Sequence, residues 1–156
     1  MHSQVRIPAT STARYLSGLA ALNLPSDNGS GDWHLIETFF SGNGGKSRCF
    51  IVGDGCEVNT NHLLGSRGVL ESSSLLRKVG LEFDSELVFA ATHERAVADL
   101  VLASVLNNGD ASHVTLDDWM PSEEHKDLVF NLLHLALPGL GKSESQLIRK
   151  WVKHNQ

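Results

Sequence analysis

With 156 residues, 41% of them apolar and 20% charged, the chain is long enough to bury one core, too short for two ordinary domains, and unlike a disordered segment. Its formal charge of −5 argues against a surface that wraps nucleic acid over its whole area. No apolar run reaches the roughly 18 residues of a membrane span, and the opening MHSQVRIPAT lacks a secretory apolar stretch, so no membrane contact and a cytoplasmic location are expected.

PATSTARYLSGLAALNLP, residues 8–25, reads as a first helix: Pro8 suits a first turn, and Tyr15, Leu16, Leu19 and Leu22 recur at helical spacing. SDNGSG is a turn-rich link, and WHLIETFF a strand without a clean face. SGNGGKS then reads as a hairpin loop leading into RCFIVGD, a short continuous apolar run of the kind found in buried strands. Residues 59–80 look irregular apart from one short helix near SSSLLRKVG.

ELVFAAT is another strand and runs straight into HERAVADLVLASVLNNG, the clearest helix in the chain. Thr92 is placed to cap it, Glu94 sits in its first turn, and Ala96, Val97, Leu100, Val101 and Ser104 share one face. SHVTLDDWMP is an extended link. SEEHKDLVFNLLHLAL is an amphipathic helix with Leu128, Leu132 and Leu135 at i, i+4 and i+7, closed by Pro138 and Gly139. SESQLIRKWVKH is a last helix, where Ser143 and Gln146 fit a capping box. The expected fold is a single α+β domain over residues 1–156, with a small early β-sheet packed against three to five helices.

Most chemical signatures fail on spacing. GNGGKS lacks the phosphate-loop glycine, because Phe40 stands five positions before Gly45, and a dinucleotide pattern from Gly42 and Gly44 puts Ser47 at the third glycine. Eight histidines occur, but without H-x-x-x-H or C-x-x-C spacing they do not define a metal site, and no cofactor is expected. Asp32 and His34 would point the same way on a strand, and His93 or His62 could join them, which leaves a small metal-dependent hydrolase using Asp32, His34 and His93 as an alternative. Against this, Asp32 can bond free N–H groups of the preceding turn, and His34 can pair with Asp99 or Glu94. Cys49 lies inside an apolar strand, Cys56 in a loop, and two cysteines make no disulfide framework. G-x-S-x-G is absent, and no catalytic residues are assigned.

Charge is segregated. Asp110, Asp117, Asp118, Glu123, Glu124 and Asp127 face a single lysine, Lys126, whereas Lys142, Arg149, Lys150 and Lys153 near the end face only Glu144. LLHLALPGLGKSESQLIRKWVKH loosely echoes helix-turn-helix, which makes operator DNA a possible partner through Arg149, Lys150 and Lys153. The structural alternative is that Leu147, Ile148 and Trp151 dock this helix and its basic face is solvated.

Three patches, ARYLSGLAALNLP at 13–25, GDWH at 31–34 and HERAVADL at 93–100, resemble a group of small bacterial proteins. These are encoded beside abortive-infection-type nucleotidyltransferase toxins and labelled antitoxins; NTNHLLGSRGV and LDDW are further patches of likeness. The resemblance implies a protein that binds and neutralises a cognate toxin by contact, and transfers no catalytic residue. Aromatic and arginine side chains are the usual interface anchors, so Trp33, Trp119 and Arg95 are the candidates, beside Asp32, His34, Asp117 and Asp118. Each tryptophan could equally be core.

Overall fold

The computed structural model describes residues 10–17, 21, 51–56, 58–78, 86–107, 109, 111–112, 114–116 and 122–156. Its elements, in chain order, are β1 (Arg14–Leu16), β2 (Ile51–Gly53), α1 (Asn61–Leu64), β3 (Val69–Glu71), α2 (Ser73–Lys78), β4 (Phe89–Ala91), α3 (His93–Leu106), α4 (Glu123–Ala136) and α5 (Lys142–Asn155). The expected α+β class is what the chain adopts. Four three-residue strands form one mixed sheet in the order β2-β1-β4-β3. β1 runs antiparallel to β2, with Tyr15 opposite Val52, and parallel to β4, with Leu16 opposite Ala90. β3 closes the other edge antiparallel to β4.

β1 corrects the expected first helix. Tyr15 and Leu16 stand at helical spacing from Leu19, but here they are fully buried strand residues, Tyr15 paired with β2 and Leu16 with both β2 and β4. Of the residues just beyond Ser17, Ala21 is described and is helical, and Leu19 and Leu22 lie outside the described residues. A tertiary ladder has overridden a weak local preference, to which Gly18 already contributed little. Val69–Glu71 is a strand that the sequence reading passed over. The short helix expected near SSSLLRKVG is α2, and RCFIVGD and ELVFAAT contain β2 and β4. The WHLIETFF strand and the SGNGGKS loop lie outside the described residues.

Two glycines permit close approaches in the sheet region. Gly53 at the end of β2 has φ of 126°, and a Cβ there would lie 2.0 Å from the carbonyl oxygen of Ala13. Gly68 has φ of 74° and lies under α3, where a Cβ would meet Arg95 Cβ at 2.8 Å.

The core sits between the sheet and α3, and between α3 and the α4–α5 pair. α3 is capped as expected: Thr92 Oγ1 accepts from the N–H of Arg95 at 3.2 Å. It is covered on more than the one expected face, with Ala96, Val97, Ala98, Val101, Leu102 and Val105 all buried. Ser122 caps α4 by accepting from the N–H of His125. In α4 the buried stripe is Val129, Leu133 and Ala136, not the expected Leu128, Leu132 and Leu135. The apolar arc of this helix is wider than the face the domain covers, and the smaller Val129 and Ala136 flank Leu133 on the packed side, leaving Leu128 and Leu135 about half exposed. A 3-10 turn at Leu137–Gly139, holding Pro138, ends α4 as expected.

α5 docks through Ile148 and Trp151, as the structural alternative held. The Trp151 indole N–H donates to Val114 O at 2.9 Å, and its ring meets Phe130 edge-on at 6.3 Å between centroids. Its N-terminus is not the expected Ser143–Gln146 box. Gly141 is the cap residue, and its N–H donates to Glu144 Oε1 at 2.8 Å.

Candidate functional site

Among the described residues, a buried polar cluster forms where α3 passes the sheet. Arg95 and Asp99 are i, i+4 neighbours on α3, respectively 0% and 2% exposed, and Arg95 Nε donates to Asp99 Oδ1 at 3.0 Å. The other acceptor sites of Asp99 are filled from distant segments. Thr60 Oγ1 donates to Oδ1 at 2.6 Å, while the Tyr15 hydroxyl and Ser17 Oγ donate to Oδ2 at 2.8 and 2.7 Å. Arg95 spends its remaining donors inward: Nη1 reaches the carbonyls of Gly65 and Arg67, and Nη2 reaches Thr60 Oγ1. The guanidinium carbon lies 5.3 Å from the centre of the Tyr15 ring.

Burial, with the Asp99 carboxylate beside it, pushes the Tyr15 phenol well above its ordinary range. In this arrangement every strong polar group has a partner, and the cluster ties β1, the start of α1, the 65–67 turn and α3 together. Chemically it is a clamp. A charged pair in the interior costs several kcal/mol of desolvation, so it persists only with this degree of hydrogen bonding. Arg95 therefore does not serve as the expected interface anchor, because its guanidinium is consumed inside the fold. The available signal was the spacing itself: an arginine and an aspartate four residues apart inside an otherwise apolar helix.

The other expected partner-contacting residues, Asp32, Trp33, His34, Asp117, Asp118 and Trp119, lie outside the described residues. So do two members of the Asp32, His34 and His93 set. His93 itself is half-buried at the start of α3, and among the described residues no three His, Cys, Asp or Glu side chains converge to hold a metal ion. Asp99 belongs to the clamp and Glu94 meets His125 Nδ1 of α4; His34, expected to pair with one of them, lies outside the described residues. Cys56 is half-buried, its thiol 3.9 Å from Asp54 O.

Among the described residues, two outward surfaces lie on consecutive helices. On α4, Leu128 and Leu135 are 48% and 49% exposed, and the exposed acids Glu123, Glu124 and Asp127 lie toward the N-terminal end of this edge, beside Leu128. On α5, Lys142, Arg149, Lys150 and Lys153 are all exposed. Arg149 and Lys153 border a groove of about 680 Å³ that α4 completes with Asn131 and His134. Lys150 and His154 border a second, of about 330 Å³, on the opposite flank. Among the described residues no helix is long and apolar enough to cross a membrane. No family model, curated protein or solved structure matches the chain.

Proposed function

We propose that this chain is a cytoplasmic, antitoxin-like protein that binds and neutralises a cognate nucleotidyltransferase-type toxin by protein–protein contact. The observation that supports this reading is the leucine edge of α4. Leu128 and Leu135 present apolar surface to solvent about two helical turns apart, with the acids of the first two turns beside Leu128. An apolar centre with a charged rim is the usual anatomy of a contact surface. The acidic rim selects a partner with basic surface, as an enzyme that handles nucleotides carries, and accelerates the encounter.

Co-expression tests the reading. The adjacent gene should arrest growth when expressed alone, be silenced by this chain, and escape silencing by L128E/L135E. Each side chain is about half exposed, so the variant should keep its fold while losing roughly 1 kcal/mol of stability per site, which circular dichroism and a melt verify. A neighbour that is harmless alone, or one still silenced by the folded double variant, would refute it.

A further inference from the structure

We propose that the outward face of α5 is a ridge that binds duplex DNA by entering its major groove, a role independent of the α4 contact. At 3.6 residues per turn, Lys142, Gln146, Arg149, Lys150 and Lys153 share one side of the helix, opposite the buried Ile148 and Trp151. All five are exposed. Glu144, the one acid of the helix, is turned back onto the Gly141 N–H and does not join that face. The result is a strip of cations without an opposing carboxylate of its own, on a protein whose overall charge is negative.

The relief of the surface makes the strip a ridge. The two grooves lie along opposite flanks of α5, the larger against α4 and the smaller against the 111–115 segment. Each carries an i, i+4 pair of basic-type side chains from α5, Arg149 with Lys153 on one side and Lys150 with His154 on the other. Each also carries a neutral hydrogen-bonding group, Asn131 on the first flank and Thr115 on the second. A helix with its side chains is roughly 10–12 Å across and the B-DNA major groove about 12 Å wide, so a ridge of this form enters the groove with its flanking cations against the two phosphate walls. Gln146, central on the ridge, is the neutral amide that would then face base edges.

The ridge is also held rigidly, as such docking requires. The Trp151 indole donates to Val114 O, and the N–H of Leu116 donates to Asn155 Oδ1 at 2.9 Å, pinning α5 to the segment beside it. An A-form RNA duplex has a deep, narrow major groove that would exclude the ridge, so the geometry selects DNA.

The test is fluorescence anisotropy of the whole chain with a labelled mixed-sequence duplex of about 20 base pairs, roughly two helical turns. Four phosphate contacts, from Lys142, Arg149, Lys150 and Lys153, give a slope of log affinity against log salt near −3.6, which is a loss of about 150-fold between roughly 50 and 200 mM salt. The triple variant R149Q/K150Q/K153Q should bring the slope to about −0.9. R14Q, an exposed arginine on β1, should leave it unchanged. Circular dichroism verifies each fold; if the triple variant does not fold, R149Q and K153Q singly should each reduce the slope by about 0.9. The proposal is overturned by no duplex binding at low salt, by slopes unaltered in the variants, or by single-stranded DNA or duplex RNA binding as tightly. L128E/L135E should bind DNA like the unaltered chain, so loss of toxin silencing and loss of DNA binding are separable failures.

Discussion

Replacing Asp99 by alanine should be among the most damaging single changes in the described part of the fold. The carboxylate neutralises Arg95, which is fully buried, and accepts from Tyr15, Ser17 and Thr60 as well. Without it, a guanidinium is left in the interior with no counter-charge, a loss of about 3–5 kcal/mol. The three hydroxyls lose an acceptor at the same time, although Tyr15 and Thr60, 3.5 Å apart, can partly satisfy one another. Taking roughly 4 kcal/mol for the whole, and a urea dependence of about 2 kcal/mol per molar for a domain of this size, the unfolding midpoint should fall by about 2 M. Urea titration followed by tryptophan fluorescence reads this directly, since Trp151 is buried against Phe130. In a double-mutant cycle, R95M/D99A should cost less than the sum of its single changes, by as much as about 3 kcal/mol, because removing both charges leaves neither unpaired. A midpoint shift in D99A below roughly 0.5 M, or strict additivity in the cycle, would show that the pair is solvated and the reasoning wrong.

The same clamp sets an alkaline limit. Tyr15 is the single tyrosine of the chain, so tyrosinate absorbance reports on it alone; it should be absent from the folded protein above pH 10 and appear only with unfolding. Between the ordinary value of 10.0 and the raised folded value, the native state keeps a proton that the unfolded chain releases, so stability should fall by up to about 1.4 kcal/mol per pH unit, and Tyr15→Phe should remove that contribution. On the acid side, the Ser73 hydroxyl and N–H both donate to Glu71 and hold its carboxyl below its ordinary range, so its contribution is present above about pH 4.5 and lost as pH falls further; Glu71→Gln should flatten the acid limb of a thermal-midpoint profile. Gly68→Ala should lower stability by at least ~1–2 kcal/mol, because it forces a side chain into a left-handed conformation and drives its Cβ onto Arg95; a neutral result in a denaturation curve would contradict the packing described at that point.

Elements whose apolar spacing and end signals agree were legible in the sequence. Thr92 before HERAVADL, and the leucine spacing of SEEHKDLVFNLLHLAL, each announced a helix that is there. What was not legible depends on partners far away in the chain. RYL looks helical until β2 and β4 pair with it on both sides, since three residues carry too little local preference to resist a ladder. Arg95 and Asp99 stand four residues apart in plain sight, but their meaning lies in hydroxyls from residues 39 to 84 positions away. Without those partners an arginine beside apolar residues reads as a contact anchor, which is how Arg95 came to be misplaced. Periodicity likewise gave α4 its helix but not its orientation. Leu128, Leu132 and Leu135 and the row Val129, Leu133 and Ala136 have the same spacing one step apart, and only packing decides which one turns inward.

The cations of α5 have a competing structural explanation, and position along the helix separates the two. Cations in a last turn are favoured by the helix dipole, and Lys153 and His154 stand there. Their presence needs no ligand. Lys142 opens the same helix, where the dipole disfavours a positive charge, and Arg149 and Lys150 lie short of the last turn, where the effect has faded. The functional reading therefore rests on these three more than on Lys153. It follows that Lys153→Gln should lower the thermal stability by a few tenths of a kcal/mol and up to about 1, whereas Lys142→Gln should leave it unchanged or raise it slightly. Both should weaken duplex binding alike, each removing about 0.9 from the salt slope if each meets one phosphate. Thermal melts and anisotropy on the same two samples decide the matter. If Lys142→Gln raises stability and leaves binding untouched, that charge belongs to neither function nor fold, and the ridge is shorter than drawn.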